Sequence, residues 1–188
     1  IFSDMKYPSV SRILDATMAP EKRAALEAWK QRVGEEGAER IRQAAMARGN
    51  VIDEMVETFM ESGECEDKRI SEYLNGYEFV AHELVVVSHM NQYQGRLDAV
   101  LRMNSRNILV DFKGSTKWKP KKYLGDYNHQ LGAYYGALME AGMNIDCACV
   151  VLFIDGRDKP QLYWRQLHEL QEAHTEFLQR VKQYREQL

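Results

Sequence analysis

A chain of 188 residues that is 45% hydrophobic is long enough for one core with a helical appendage and too short for two full-sized domains. The formal net charge of −3 gives no global sign of nucleic-acid binding, and the odd count of Cys65, Cys147 and Cys149, without paired metal-ligand spacing, argues against a disulfide framework, a zinc ribbon or an iron–sulfur cluster. No apolar run is long enough to cross a membrane and no signal-peptide pattern opens the chain, so a soluble, intracellular protein is expected, and a start at Ile1 suggests a trimmed chain.

Ser9, after Tyr7-Pro8, can cap a short helix through about Ala16, and Pro20 can start another with Leu26, Trp29, Lys30 and Val33 near helical spacing. The Gly34 to Gly37 region breaks it. A longer helix is predicted from Ala38 to about Met60, with Ile41, Ala45, Ile52, Val56 and Phe59 on one face. Beside that stripe Gly49, Asp53 and Glu57 stack at intervals of four. Acidic residues on a helix are usually solvated. A mid-helix glycine, however, costs about 1 kcal/mol and commonly marks a close approach of backbone to another group.

From Gly76 the texture changes to strands, first "YEFVAHELVVVSH" and then "QGRLDAVLRMNSRNILVDFKGS". In the second stretch apolar and polar residues alternate on both sides of Asn104-Ser105, which predicts a hairpin turning there. Leu97 then faces Phe112, Ala99 faces Val110 and Leu101 faces Ile108, an apolar match. The same register sets Asp98 opposite Asp111, and like charges in that position destabilise a sheet, so something positive is expected between them.

After Lys113 comes "KGSTKWKPKKY", which has no acidic residue and interleaves Trp118 and Tyr123 among lysines. A solvated mobile loop is one reading. A nucleic-acid surface is the other, with Lys117, Lys119, Lys121 and Lys122 meeting phosphates while bases stack on the aromatics. A helix follows from about Asp126 to Ala141, then a near-continuous apolar run from Ile145 to Ile154 that fits a strand buried on both faces. A short strand "QLYWRQ" and an amphipathic helix from about Leu167 complete the order. Together these predict an α/β fold with a central mixed β-sheet flanked by helices. One domain is expected, with 1–75 helical and 76–188 an α/β catalytic core.

Two opposed carboxylates beside Lys113 offer oxygen ligands suited to Mg²⁺ or Mn²⁺, which neutralise the pair, polarise a phosphate oxygen and activate water. A salt-bridged Asp–Lys cluster on a solvated sheet face is the alternative reading. The ordered set Gly95-x-x-Asp98, Asp111-Phe112-Lys113 and Gln130-x-x-x-Tyr134 resembles the PD-(D/E)XK nuclease superfamily, in particular its RecB-like exonuclease branch. "YPSVSRIL" is similar to the N-terminal segment of mitochondrial and phage members. "ARGNVIDEMVE" is similar to the branch's helical segment, with Asp53 standing where a metal-binding His is usual, which leaves the metal preference open.

The resemblance implies a restriction-endonuclease-like core with an N-terminal helical cover. Asp53, Asp98, Asp111 and the Phe112 carbonyl would be metal ligands, Lys113 would assist catalysis, and Gln130 and Tyr134 would face the site. Arg48, Ser115, Thr116 and the loop through Tyr123 would contact DNA. Glu83 is a candidate support for the ligands, placed on the strand before Asp98, and His129 is a candidate neighbour of Gln130. The function implied is a metal-dependent DNA exonuclease acting on single-stranded ends, monomeric, serving replication or recombination proteins, in a phage or bacterial cytoplasm or a mitochondrial matrix. An endonuclease of the same superfamily and a nucleic-acid-binding module with little catalysis are the competing readings.

Overall fold

The computed structural model describes residues 7–188, excluding the Lys122 side chain, so the reading of Lys122 as a phosphate contact lies outside the described residues. The Ser9 hydroxyl caps α1 (Val10–Ala16) by accepting the Arg12 N–H. Pro20 occupies the first turn of α2 (Pro20–Val33), and Gly34 at φ 77° separates α2 from α3 (Glu35–Ser62). The predicted break is therefore one residue long, and Gly37 lies inside α3. A positive φ at a single glycine is enough to redirect the chain.

Only the second half of α3 carries a buried stripe, at Ile52 and Val56, while Ile41 is exposed. The Gly49 expectation fails, because a methyl group there would meet only open space. A short helix that the sequence pattern did not predict, α4 (Lys68–Leu74), is capped by Asp67 and buries Ile70 and Leu74.

Seven strands follow: β1 (Glu78–His82), β2 (Val85–Ser88), β3 (Tyr93–Arg96), β4 (Ala99–Met103), β5 (Arg106–Ser115), β6 (Cys147–Ile154) and β7 (Gln161–Gln166). Helix α5 (Gly125–Glu140) crosses between β5 and β6, and α6 (Leu167–Glu186) closes the chain. The main sheet runs β1-β4-β5-β6-β7, with β5 and β6 parallel and the other neighbours antiparallel; β2 and β3 form a separate pair. This is the expected mixed sheet. Among the described residues no helix is long and apolar enough to cross a membrane.

The sheet is covered on both faces. Val100, Leu109, Val150 and Leu152 pack with Leu131, Tyr134 and Phe177 from α5 and α6. Ala99, Leu101, Val110 and Phe112 pack with Ile52, Val56, Ile70 and Leu74 from α3 and α4. The β4–β5 hairpin is covered on both faces, which corrects the half-buried reading; the Asp–Lys ion pair of the alternative reading is present, but largely buried rather than on a solvated face. Alternating polarity is interrupted by Val100 and Leu109, and those two residues take that face into the core beneath α5 and α6.

Helices α5 and α6 approach until backbone meets backbone. A methyl on Gly132 would stand 2.4 Å from the Ala173 carbonyl carbon, and one on Gly136 would overlap the His174 ring. The Gly132 carbonyl lies 3.1 Å from His174 Nδ1.

Candidate active site

The hairpin register is the one read from the sequence, with Ala99 facing Val110 and Leu101 facing Ile108 around Asn104 and Ser105, both at positive φ. That turn has the twist that two-residue hairpins require. The ladder stops at Ala99–Val110, however, so Leu97 and Asp98 peel away before facing Phe112 and Asp111. Asp98 Oδ2 instead accepts the Phe112 N–H at 2.7 Å, standing in for the departed strand.

The expected positive charge is present, and it belongs to the chain. Lys113 Nζ lies 2.7 Å from Asp111 Oδ1 and 4.0 Å from Asp98 Oδ2. Burial pushes the Asp111 carboxyl up, Lys113 pulls it back down, and the Asp98 charge adds to the rise. Burial acts to lower the Lys113 pKa, but the two carboxylates outweigh it and hold the ammonium above the usual lysine range. Lys113 therefore carries its charge at neutral pH. Asp53, brought from α3, has its carboxyl raised by partial burial first and then by Asp98 and Glu83, and in turn it acts on Asp111. Glu57, one turn further along α3, is exposed.

Asp111 is 1% exposed and its Oδ2 has no hydrogen-bond partner. An orphaned buried carboxylate oxygen is costly. Asp98 and Asp53, whose charges act on it, are also carboxylates, and oxygen donors of this kind suit a hard divalent cation. The carboxylates stand apart around the lysine, and among the described residues no three His, Cys, Asp or Glu side chains are gathered in a metal-holding group.

Gln130 and Tyr134 meet on α5, with Gln130 Nε2 donating to Tyr134 Oη at 3.0 Å. Burial pushes the Tyr134 phenol up to about 12, against the Gln130 hydrogen bond, and the charges of Asp111, Asp98 and Lys113 all reach it. It is a neutral phenol at physiological pH. Gly95 explains its own place in the motif: a Cβ there would fall 2.6 Å from Tyr134 Cε1.

Sequence patterns had not singled out Tyr127. Lys113 Nζ lies 5.5 Å and Lys119 Nζ 5.3 Å from its ring centroid, and Lys119 Nζ also donates to its hydroxyl at 3.1 Å. The signal was available, because Tyr127, Gln130 and Tyr134 share one helical face at i, i+3 and i+7. Glu83 is not on a strand. It bends at φ 48° between β1 and β2 and pairs with Arg96 at 2.8 Å. His129 lies 3.1 Å from Glu176 on α6, on the outer side of the helix pair.

Within the basic loop Thr116, Lys117, Trp118, Lys121 and Tyr123 are exposed. Ser115 is buried, with its hydroxyl donating to the Lys117 carbonyl at 2.7 Å, and Lys119 is anchored through both its backbone and its ammonium. Arg48 packs its stem over Gly114 and donates from Nε to Asp155 Oδ2 at 3.0 Å. A cavity of about 960 Å³ between α3, α4 and the segment after β6 is lined by Arg69, Asp155 and Arg157, and none of the clustered carboxylates reaches it.

The chain has relatives among known proteins. Human mitochondrial genome maintenance exonuclease 1 is 27% identical over 202 residues, covering 95% of this chain and 58% of its own length. The Xenopus tropicalis protein of the same name is 29% identical over 167 residues, covering 77% of this chain and 48% of its own length. The chain thus spans about half the length of the curated relatives it matches. The crystal structure of SSO0001 superimposes with a TM-score of 0.56 at 13% identity, covering 100% of this chain and 79% of that one, which shows a shared fold. The PD-(D/E)XK nuclease superfamily, whose members generally use divalent metal ions, matches residues 9–188, and the chain belongs to it.

Proposed function

We propose that the chain carries the catalytic site of a Mg²⁺- or Mn²⁺-dependent DNA exonuclease acting on single-stranded ends. The observation that carries this reading is the buried Asp111–Lys113 pair with Asp98 beside it, a charged cluster retained at high desolvation cost inside a nuclease fold. Asp53, Asp98, Asp111 and the Phe112 carbonyl would hold the cation, which when bound supplies charge neutralisation and an activated water.

The chain's own groups do the rest. Lys113, held charged by Asp111 and Asp98, stabilises the attacking hydroxide or the charge that grows on the phosphate oxygens. Gln130 fixes the Tyr134 hydroxyl, which donates a hydrogen bond toward substrate. Trp118 and Tyr123 offer exposed rings on which bases stack, while Lys117, Lys121 and Arg48 meet phosphates.

Helices α2 and α3 support a preference for free ends. Lys22 at the start of α2 pairs with Asp126 at the start of α5, and Arg23 donates to the Asp15 carbonyl. Helix α3 packs against the opposite sheet face and delivers Asp53. The α2–α3 pair is thus tied to elements on both faces of the sheet, which supports a cover near the cluster. A single strand threads beneath such a cover more readily than a duplex about 20 Å across.

The test is cleavage of end-labelled linear and closed circular single-stranded DNA, with and without Mg²⁺ or Mn²⁺. Linear strands should be degraded only with metal, and circles should survive. Rapid cutting of circles, lost in Lys113→Ala, would establish an endonuclease instead.

A further inference from the structure

We infer that Asp155 is a positioning residue that holds Arg48 as a clamp for a backbone phosphate of the bound strand. The inference rests on the nuclease function proposed for the Asp111–Lys113 site and extends it to a residue outside the sequence motifs. Arg48 is held at two points, its stem and its Nε. Its Cγ and Cδ lie over Gly114, where a methyl would come within 2.7 Å of both. Ile52, one turn along α3, packs over the same glycine, at 2.9 Å from that methyl position. Asp155 Oδ2 accepts the Nε–H at 3.0 Å.

Asp155 is itself fixed. It follows the last residue of β6, and its N–H donates to the Ser115 carbonyl at 2.9 Å, joining the ends of the two parallel strands. The clamp therefore stands over Gly114, on the sheet face opposite the Lys113 side chain, at the root of the loop that presents Lys117 and Trp118.

The way the carboxylate binds matters. A bidentate pair would use two guanidinium nitrogens, whereas here only Nε is engaged, so the two terminal NH₂ groups keep their donors. The Arg48 side chain is 23% exposed, so those donors reach solvent along one edge. A planar fork with one edge pinned and the other open is preorganised for phosphate oxygens. Fixing a long side chain before substrate arrives removes part of the ordering cost of binding. An ion pair with one exposed partner contributes little to stability, and although the Asp155 charge also acts on Arg69, its one hydrogen-bonded side-chain partner among the described residues is Arg48.

The experiment measures anisotropy of a fluorescent single-stranded oligonucleotide over a series of KCl concentrations, without divalent ions so that nothing is cleaved. Arg48→Gln should weaken binding by about 10-fold and lower the salt slope by about one. Asp155→Asn should weaken binding by about 3- to 10-fold, and it should have no effect in the Arg48→Gln background, because the two act as one unit. Asp155→Glu should restore part of that affinity.

An unchanged salt slope in Arg48→Gln overturns the inference, whether or not the Asp155 variants fold. So does additivity of the two substitutions, or tighter binding by Asp155→Asn, as a competing carboxylate would give. Failure of the wild-type chain to bind or cleave DNA at all would instead overturn the nuclease function beneath it.

Discussion

Replacing Gly95 with alanine tests whether the fold sets the Tyr134 hydroxyl in place. The new methyl would lie 2.6 Å from Tyr134 Cε1 and 3.2 Å from Val10 Cγ2. Carbon atoms rest at about 3.5–4.0 Å, so the ring must retreat by roughly 1 Å. It has little room, being 4% exposed and tied to Gln130. Overpacking of this kind costs about 1–3 kcal/mol, which for a chain of this size lowers the melting midpoint by several degrees. A shift of about 1 Å at a group facing the reacting centre costs about 100-fold in rate, equivalent to about 2.7 kcal/mol of barrier. Thermal unfolding and cleavage of a labelled single strand report the two effects separately. In a Tyr134→Ala background, where the clash partner is gone, Gly95→Ala should add little to either one. A Gly95→Ala protein that melts and cleaves like wild type, or a cost that persists without Tyr134, would refute the reasoning.

Lys113→Ala and Asp111→Asn should each lower cleavage by at least ~100-fold in excess metal while DNA binding largely persists, measured by single-turnover kinetics beside anisotropy. Replacing both Lys117 and Lys121 with alanine should reduce the salt slope of binding by about one for each phosphate that is no longer neutralised; an unchanged slope would show that they are merely solvated. Desolvation acts to raise the Glu140 pKa, but hydrogen bonds from Ser88 Oγ and from the Met90 and His89 N–H groups overcome it and hold the carboxyl below its usual range. Glu140→Gln should therefore cost about 1–2 kcal/mol. Because the folded value is depressed, that gap should be full above the unfolded carboxylate pKa of about 4.3 and close as pH falls through the folded value, as denaturant titrations at several pH values would show.

Local chemistry was legible in the sequence, and long-range approach was not. The hairpin register followed from Asn104-Ser105 and the apolar pairs on either side, since turn type and alternation act over a few residues. Asp98, Asp111 and Lys113 were found together for the same reason. The strand's departure at Asp98 has no local signal, because it depends on a side chain replacing a backbone partner across the sheet. Glycines show the limit most clearly. Gly49 was expected to meet another group closely and faces open space, while Gly95, Gly114 and Gly132 are glycines that other elements press against. Asp155 and Tyr127 reach their partners only after β5, α5 and β6 have assembled.

The bare backbone at Gly132 links the C-terminal helix to chemistry it never touches. Gln130 and Tyr134 flank Gly132 on α5, and α6 rests directly on that glycine through Ala173. On the assignment proposed above, a bulkier residue at Ala173 would push on α5 at Gly132 and should carry Gln130 and Tyr134 with it, slowing cleavage from a position that touches none of the clustered carboxylates.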